Sequence, residues 1–95
     1  MYLVLLRFSD NRSQSGPWMQ AHQAWLQQGF DDAVFVLAGS LGGQAGGAIL
    51  AQGIARTALE ERVQADPFVI ADVVRAEIIE ITPSRTDARL DFLRH

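Results

Sequence analysis

Two side chains capable of acid–base chemistry, His22 and Asp66, lie at positions where the sequence pattern predicts a buried face. His22 is one helical turn from Trp18 and one turn from Trp25, in a segment whose apolar residues recur with a period of 3.6. Its imidazole is therefore expected to point toward the protein interior. Histidine both accepts and donates protons near neutral pH, which suits a general acid or base.

Asp66 is the predicted partner of that imidazole. Leu59, Val63 and Asp66 follow an i, i+4, i+7 spacing, which places the carboxylate on the apolar stripe of a second helix. A buried carboxylate is costly unless it is paired. If the two helices lie side by side, His22 and Asp66 can satisfy each other. The alternative is a purely structural role, because buried histidines are often core residues and an aspartate before proline often caps a helix end.

The other candidate groups give weaker indications of a functional site. Ser40 follows the second predicted strand and is a candidate for ligand contact, although a serine at a hairpin end commonly bonds the backbone. The glycine-rich stretch at residues 39–47 lacks the pattern of a phosphate-binding loop, so a hairpin is predicted there. The chain has no cysteine, and His22 and His95 are too far apart for metal-ligand spacing. No metal and no cofactor are expected.

The composition is that of a small folded protein. With 95 residues, 48% of them hydrophobic and 20% charged, one domain covering residues 1–95 is expected. The net charge of −3 argues against nucleic acid as a partner. The apolar start at residues 2–6 is interrupted by Arg7 and is too short for a signal peptide or a membrane span. We therefore expect no membrane partner and a cytoplasmic location.

Hydrophobic periodicity and turn residues predict strands at residues 2–8, 33–37, 48–51 and 73–81 and helices at residues 17–29 and 58–65. Pro17 suits the start of the first helix and Gly29 its end. Thr57-Ala58-Leu59-Glu60 matches a capping box at the start of the second helix, which Asp66-Pro67 should close. Residues 84–95 are expected to form a tail or short helix that docks through Leu90, Phe92 and Leu93.

The order β-α-β-β-α-β predicts an α+β fold of the ferredoxin-like, split βαβ kind, in which a four-stranded antiparallel sheet has both helices on one face. The first and last strands carry apolar residues on both faces. Because two helices cover only one face, the other apolar face should pair with a second copy of the chain, giving a homodimer. In the first strand one face carries Tyr2, Val4, Leu6 and Phe8 and the other Leu3, Leu5 and Arg7; in the last strand one face carries Val74, Ala76 and Ile78 and the other Arg75, Glu77, Ile79 and Ile81.

Four segments form a pattern that covers nearly the whole chain: residues 2–8, Ala21-His22-Gln23-Ala24-Trp25-Leu26, Leu37-Ala38-Gly39-Ser40-Leu41, and Ala65-Asp66-Pro67-Phe68-Val69. With these the chain resembles the YciI-like, or YCII-related, family of small dimeric α/β-barrel proteins. Asp-Pro-Phe is the most specific of the matches. The resemblance implies an active-site pair formed by His22 and Asp66. The chain departs from the family at Asp72, where glycine is common, and in its arginine-rich tail.

These observations favour a small-molecule enzyme in which His22 is the general base or acid and Asp66 orients it. No serine or cysteine nucleophile with an activating partner is evident, so lyase-type elimination, dehydrochlorinase-like chemistry or hydrolysis through activated water is expected rather than covalent catalysis. The alternative is a non-catalytic dimeric domain that binds a ligand or assists another protein. In that case the same pair ties two helices together.

Overall fold

A computed structural model describes residues 1–94, so His95, the second histidine and the last residue of the predicted tail, lies outside the described residues. The strands are β1 (Tyr2–Phe8), β2 (Phe35–Ser40), β3 (Gly46–Ala51) and β4 (Val74–Glu80). The helices are α1 (Met19–Asp31), α2 (Arg56–Gln64) and α3 (Pro67–Ile70). Short 3-10 turns occupy Arg12–Gln14, Gly16–Trp18, Gly42–Gln44 and Ala88–Arg94.

The four strands form one antiparallel sheet in the order β2-β3-β1-β4. β1 is central, pairing Val4 with Ile49 of β3 and with Ile78 of β4. A register shift between Phe35 and Leu37 gives β2 an irregular start. This arrangement confirms the predicted split βαβ fold, and the glycine-rich stretch is a hairpin connection as expected.

The core lies between one face of the sheet and the helices, which confirms that the helices pack on a single side. Removing an aliphatic or aromatic side chain from water contributes about 1.5–3 kcal/mol, so burial here supplies much of the stability of the fold. Trp25 and Leu26 of α1 pack against this core and are partly buried. Its buried members are Val4, Leu6, Val34, Phe35, Ile49, Ala51, Leu59, Val63, Phe68, Val73 and Val74.

Helix α1 differs from its predicted range at both ends. It begins at Met19, after a 3-10 turn that contains Pro17, and it continues past Gly29 to Asp31. Gly29 is needed for packing and does not end the helix, because a Cβ at this position would overlap the ring of Phe35. Close approach between a helix and a strand is one of the situations in which only glycine fits.

The predicted capping box at the start of the second helix is wrong. α2 begins at Arg56, with Ala55 as N-cap and without a side-chain cap, so Thr57 already lies inside the first turn. Glu60 instead pairs with Arg56, with 3.1 Å between Oε1 and Nε. The helix ends before Asp66-Pro67, as expected, but Asp66 then caps a further short helix, α3, that the sequence did not predict.

Asp72 has the left-handed backbone conformation, with φ of 57°. This conformation favours glycine and tolerates aspartate, so the aspartate at this position is compatible with the backbone. The side-chain amide of Asn11 donates to Oδ2 of Asp72 at 3.1 Å, and the hydroxyl of Ser9 donates to its carbonyl oxygen at 2.5 Å. The loop after β1 therefore holds this residue in place.

The outer face of the sheet, away from the helices, carries partly exposed apolar residues beside the ion pair of Arg7 with Glu77. Ile79 is 38% exposed and Leu37 is 57% exposed, whereas Leu5 near the centre is buried. In the tail only Leu93 is buried, while Leu90 and Phe92 are exposed, so the expected docking through all three is wrong for two of them. The backbone of Leu90 departs from helical geometry, with φ of −112°, which interrupts the 3-10 turn. None of the helices in residues 1–94 has the length and apolar character needed to cross a bilayer.

Candidate active site

The structure brings His22 and Asp66 together, as their spacing predicted. Nδ1 of His22 lies 2.7 Å from Oδ1 of Asp66, and the two side chains are 11% and 0% exposed. His22 is the fourth residue of α1, near the start of the helix. Asp66 lies in the turn between α2 and α3, beyond the end of the apolar stripe on α2. The two positions are 44 residues apart in sequence, so only the folded sheet and helices create the pair.

The carboxylate of Asp66 is held by two donors that share one oxygen. Oδ1 accepts the hydrogen bond of His22 and a second hydrogen bond from the backbone N–H of Phe68 at 3.0 Å. Oδ2 is buried and has no partner among residues 1–94. An ionised carboxylate only accepts hydrogen bonds, so with Asp66 ionised the proton of this contact is on Nδ1 of the imidazole. Nε2 is then the nitrogen that accepts a proton when the ring is neutral.

Two aromatic rings fix the plane of the imidazole. Phe68 stacks on His22 with 4.0 Å between ring centroids and 5° between planes, and Trp25 lies at 5.8 Å with an angle of 25°. The indole N–H of Trp25 donates to the carbonyl oxygen of Arg62 at 3.0 Å, which anchors this ring to α2. Such stacking stabilises by about 0.5–1.5 kcal/mol beyond area burial. The histidine is thus oriented by its hydrogen bond and by packing.

The side chain of Arg62 makes a second contact between α2 and α1, in addition to the hydrogen bond that its carbonyl oxygen accepts from Trp25. Its guanidinium donates to Oδ2 of Asp32 at 2.9 Å. This hydrogen bond, with a second one from Gln28, holds the pKa of Asp32 below its ordinary value. The contact keeps the two helices side by side, which is the arrangement that the pairing of His22 with Asp66 requires.

A cavity of about 450 Å³ lies between α1 and the sheet, on the side of β2 and β3. Small-molecule sites typically enclose about 300–1,000 Å³. His22 and Phe68 form part of its wall, together with Phe8 and Phe30. Within the part of the chain that the structure describes, Nε2 of His22 is neither hydrogen-bonded nor sealed from solvent. The histidine therefore presents an open nitrogen beside a space that can hold a ligand.

Ser40, the third residue predicted from the sequence, lines the same cavity from the end of β2. Its exposed hydroxyl makes no hydrogen bond with residues 1–94, so the backbone role expected for a hairpin serine is not seen. Gln23 and Gln27 also line the cavity from α1 and were missed by the sequence analysis. Gln23 follows His22 directly and Gln27 is one turn further along, but this proximity alone does not distinguish them from solvent-facing residues of the helix.

The cavity wall is free of fixed charge in the described residues. It carries no arginine, aspartate or glutamate, and its polar groups are His22, two glutamine amides, Ser40 and glycine backbone. No cluster of three or more His, Asp or Glu side chains within residues 1–94 could hold a metal ion, and His95 lies beyond that range. Chemically, this arrangement can bind an uncharged small molecule and exchange a proton with it.

No family model matches the chain, and no curated protein matches it. Among solved structures, it is similar to 5-chloro-2-hydroxyhydroquinone dehydrochlorinase (TftG) from Burkholderia phenoliruptrix AC1100 in complex with 2,5-dihydroxybenzoquinone. The TM-score is 0.69 at 16% identity, and the match covers 85% of this chain and 93% of that chain. At this level of identity the likeness shows a shared fold: a small α+β chain whose four-stranded antiparallel sheet is covered by helices.

Proposed function

We propose that the protein is a small-molecule enzyme in which His22 acts as general base or acid and Asp66 orients it. One observation carries this proposal. Nδ1 of His22 is bound to the buried carboxylate of Asp66 at 2.7 Å, Nε2 makes no hydrogen bond with residues 1–94, and His22 lines a cavity of about 450 Å³. A histidine with one nitrogen anchored to a carboxylate and the other facing a cleft has the geometry of a positioned proton acceptor.

In the proposed reaction, Nε2 removes a proton from the bound substrate. The resulting imidazolium is stabilised by the carboxylate of Asp66, which already accepts the Nδ1 proton. In an elimination, the electron pair of the broken C–H bond forms a double bond, and the leaving group departs with its own bonding pair. In a hydrolysis, the same nitrogen instead takes a proton from water. Ser40 is on the wall without a hydrogen-bonded base among the described residues, so a covalent route has little support.

The comparison and the family resemblance support this class of chemistry. The solved structure that shares the fold is a dehydrochlorinase bound to a small ring compound. The Asp66-Pro67-Phe68 sequence supports placing the chain among the YciI-like proteins. On these grounds we assign a lyase, dehydrochlorinase-like or hydrolase reaction, carried out in the cytoplasm by a homodimer that pairs through the outer face of the sheet. The partly exposed apolar residues Leu3, Leu37, Leu50 and Ile79 on that face support the dimer.

A second candidate function is a non-catalytic ligand-binding or accessory domain. The observation that favours it is the complete burial of Asp66, whose carboxylate also caps α3 through the N–H of Phe68. In that role His22 is a tie between α1 and the turn after α2. The two functions differ in the role of His22 toward a bound molecule. As a structural tie, His22 only maintains the geometry of the cavity, whereas as a general base it is required for turnover.

Turnover of chlorinated and hydroxylated ring compounds by the protein and by His22→Gln tests the proposal. Glutamine can still donate a hydrogen bond to Asp66 but cannot take up a proton, so the rate is expected to fall by about 10²–10⁴. Gln20→Ala is the control, since Gln20 is an exposed residue of α1 outside the cavity. Turnover that is unchanged by His22→Gln would contradict the role of His22 as base, whereas binding of these compounds without turnover would favour the accessory domain.

A further inference from the structure

The polar side chains on the cavity wall differ in whether they already make hydrogen bonds within the protein. The amide nitrogen of Gln27 donates to Oδ1 of Asp31 at 2.9 Å. The amide nitrogen of Gln23 faces only the thioether sulfur of Met19 at 3.8 Å, and a thioether is a weak acceptor. Gln23 therefore keeps a donor and an acceptor for a ligand, and it is the residue next to His22 on α1.

The remaining wall is largely apolar and aromatic. Aromatic rings of Phe8, Phe30 and Phe68 contribute to it, and Gly47 lies on the sheet side without a side chain. Gly47 pairs with Leu6 and with Ser40, and Leu6 belongs to the core, so this position faces the helices. Aromatic walls bind ring compounds well because they offer a large apolar surface and stacking contacts.

We propose that the cavity takes an uncharged, planar ring compound with hydroxyl or carbonyl substituents, and that Gln23 is a specificity-determining residue that binds one of them. This rests on the proposed function, in which the cavity is the substrate site of His22. The amide of Gln23 on α1 and the hydroxyl of Ser40 on β2 bind substituents from two different walls of the cavity. A ring with polar groups at two positions satisfies both walls and leaves a third position for Nε2 of His22.

Charge explains why the ligand is neutral. An anionic substituent needs a cation or several donors when it leaves water. The cavity wall in residues 1–94 offers no arginine, and the imidazole of His22 is already paired with the carboxylate of Asp66. The guanidinium of Arg12 lies over the ring of Phe8 at 4.3 Å but is not part of the lining. The wall itself therefore favours hydroxyl and carbonyl groups over carboxylates and phosphates.

A pair of ligands matched in shape tests this inference: 4-hydroxybenzamide, which is neutral, and 4-hydroxybenzoate, which is an anion at pH 7. Binding to the protein is measured by calorimetry and by amide shifts in NMR spectra. The benzamide is expected to bind at least about tenfold more tightly, since the cavity supplies no partner for the carboxylate. Gln23→Leu is expected to weaken benzamide binding by about fivefold, the scale of one net hydrogen bond.

Gln23→Arg gives the sharpest result, because a guanidinium in the wall supplies the missing cation. The preference should then reverse in favour of the benzoate. Gln20→Arg adds the same charge to the exposed part of α1 and should leave the preference unchanged. Equal binding of both ligands to the unaltered protein, or binding of neither, overturns the inference. If the preference is present but His22→Gln leaves turnover unchanged, the proposed function fails while the assignment of the ligand class stands.

Discussion

Phe68 stacks on the imidazole of His22 at 4.0 Å, and its backbone N–H donates to the same oxygen of Asp66 that binds that imidazole. One residue thus sets the plane of the histidine and the position of its carboxylate partner. Pro67 between them begins α3, because its fixed φ suits the first turn of a helix. The tripeptide Asp66-Pro67-Phe68 therefore orients the imidazole of His22 from one side.

Phe68→Leu is expected to lower the free energy of unfolding by about 1–2 kcal/mol, because a buried ring and its stacking contact are lost. The ring protons of His22 should also move downfield in NMR spectra once the ring current of Phe68 is gone. Phe92→Leu makes the same change at a residue that is 44% exposed and should alter stability by less than about 0.5 kcal/mol. Equal losses for the two variants would contradict the importance of the stack.

The strength of the pair itself is measured by unfolding His22→Ala, Asp66→Ala and the double variant in denaturant. His22→Ala is expected to lower the free energy of unfolding by only about 1–2 kcal/mol, because truncation opens Asp66 to water from the cavity. Asp66→Ala should lose about 2 kcal/mol, since it removes both the hydrogen bond and the cap of α3. The two losses should not add, because the residues share one interaction.

The size of the first loss separates the two candidate functions. A loss above about 3 kcal/mol for His22→Ala is the range for a broken buried pair and would favour the structural tie. A smaller loss with an intact fold fits a histidine placed at the edge of a wet cavity for chemistry. Far-ultraviolet circular dichroism of each variant provides the check that the fold is retained.

The pairing of His22 with Asp66 was predictable because each residue alone would be an anomaly on an apolar stripe. The exact place of Asp66 was not, since α3 has only four residues and is too short to show a helical period. The first strand and its alternation were predicted well for the opposite reason: Tyr2–Phe8 is a long run with the pattern of a strand.

The lining of the cavity could not be predicted from local patterns. Gln23 and Gln27 look like ordinary solvent-facing residues of an amphipathic helix. They line a cavity because the hairpin of β2 and β3 approaches α1, and that approach depends on long-range strand pairing. Sequence periodicity indicates which face of a helix is apolar. It does not indicate which other element packs beside the polar residues that flank this face.

The contact between Asp32 and Arg62 predicts a pH effect with a definite sign. The hydrogen bond from Arg62 lowers the pKa of Asp32 in the folded protein, so its stabilising effect is complete above the unfolded pKa and is lost as pH falls through the folded pKa. Arg62→Gln should raise the pKa of Asp32, as followed by NMR titration of its carboxyl carbon. Arg89→Gln should instead raise the pKa of Asp87, which Arg89 lowers, and leave Asp32 unchanged.

The outer face of the sheet predicts the oligomeric state. Ile79 is 38% exposed there and pairs across the strands with Leu3, so a second copy is expected to cover both. Sedimentation at micromolar concentration should give twice the chain mass, and Ile79→Glu should shift it toward the monomer because a carboxylate is costly to bury. Ile70→Glu makes the same change on α3, where Ile70 is 67% exposed, and should leave the dimer intact. A soluble monomer for the unaltered chain would show that the sheet face does not pair with a second copy.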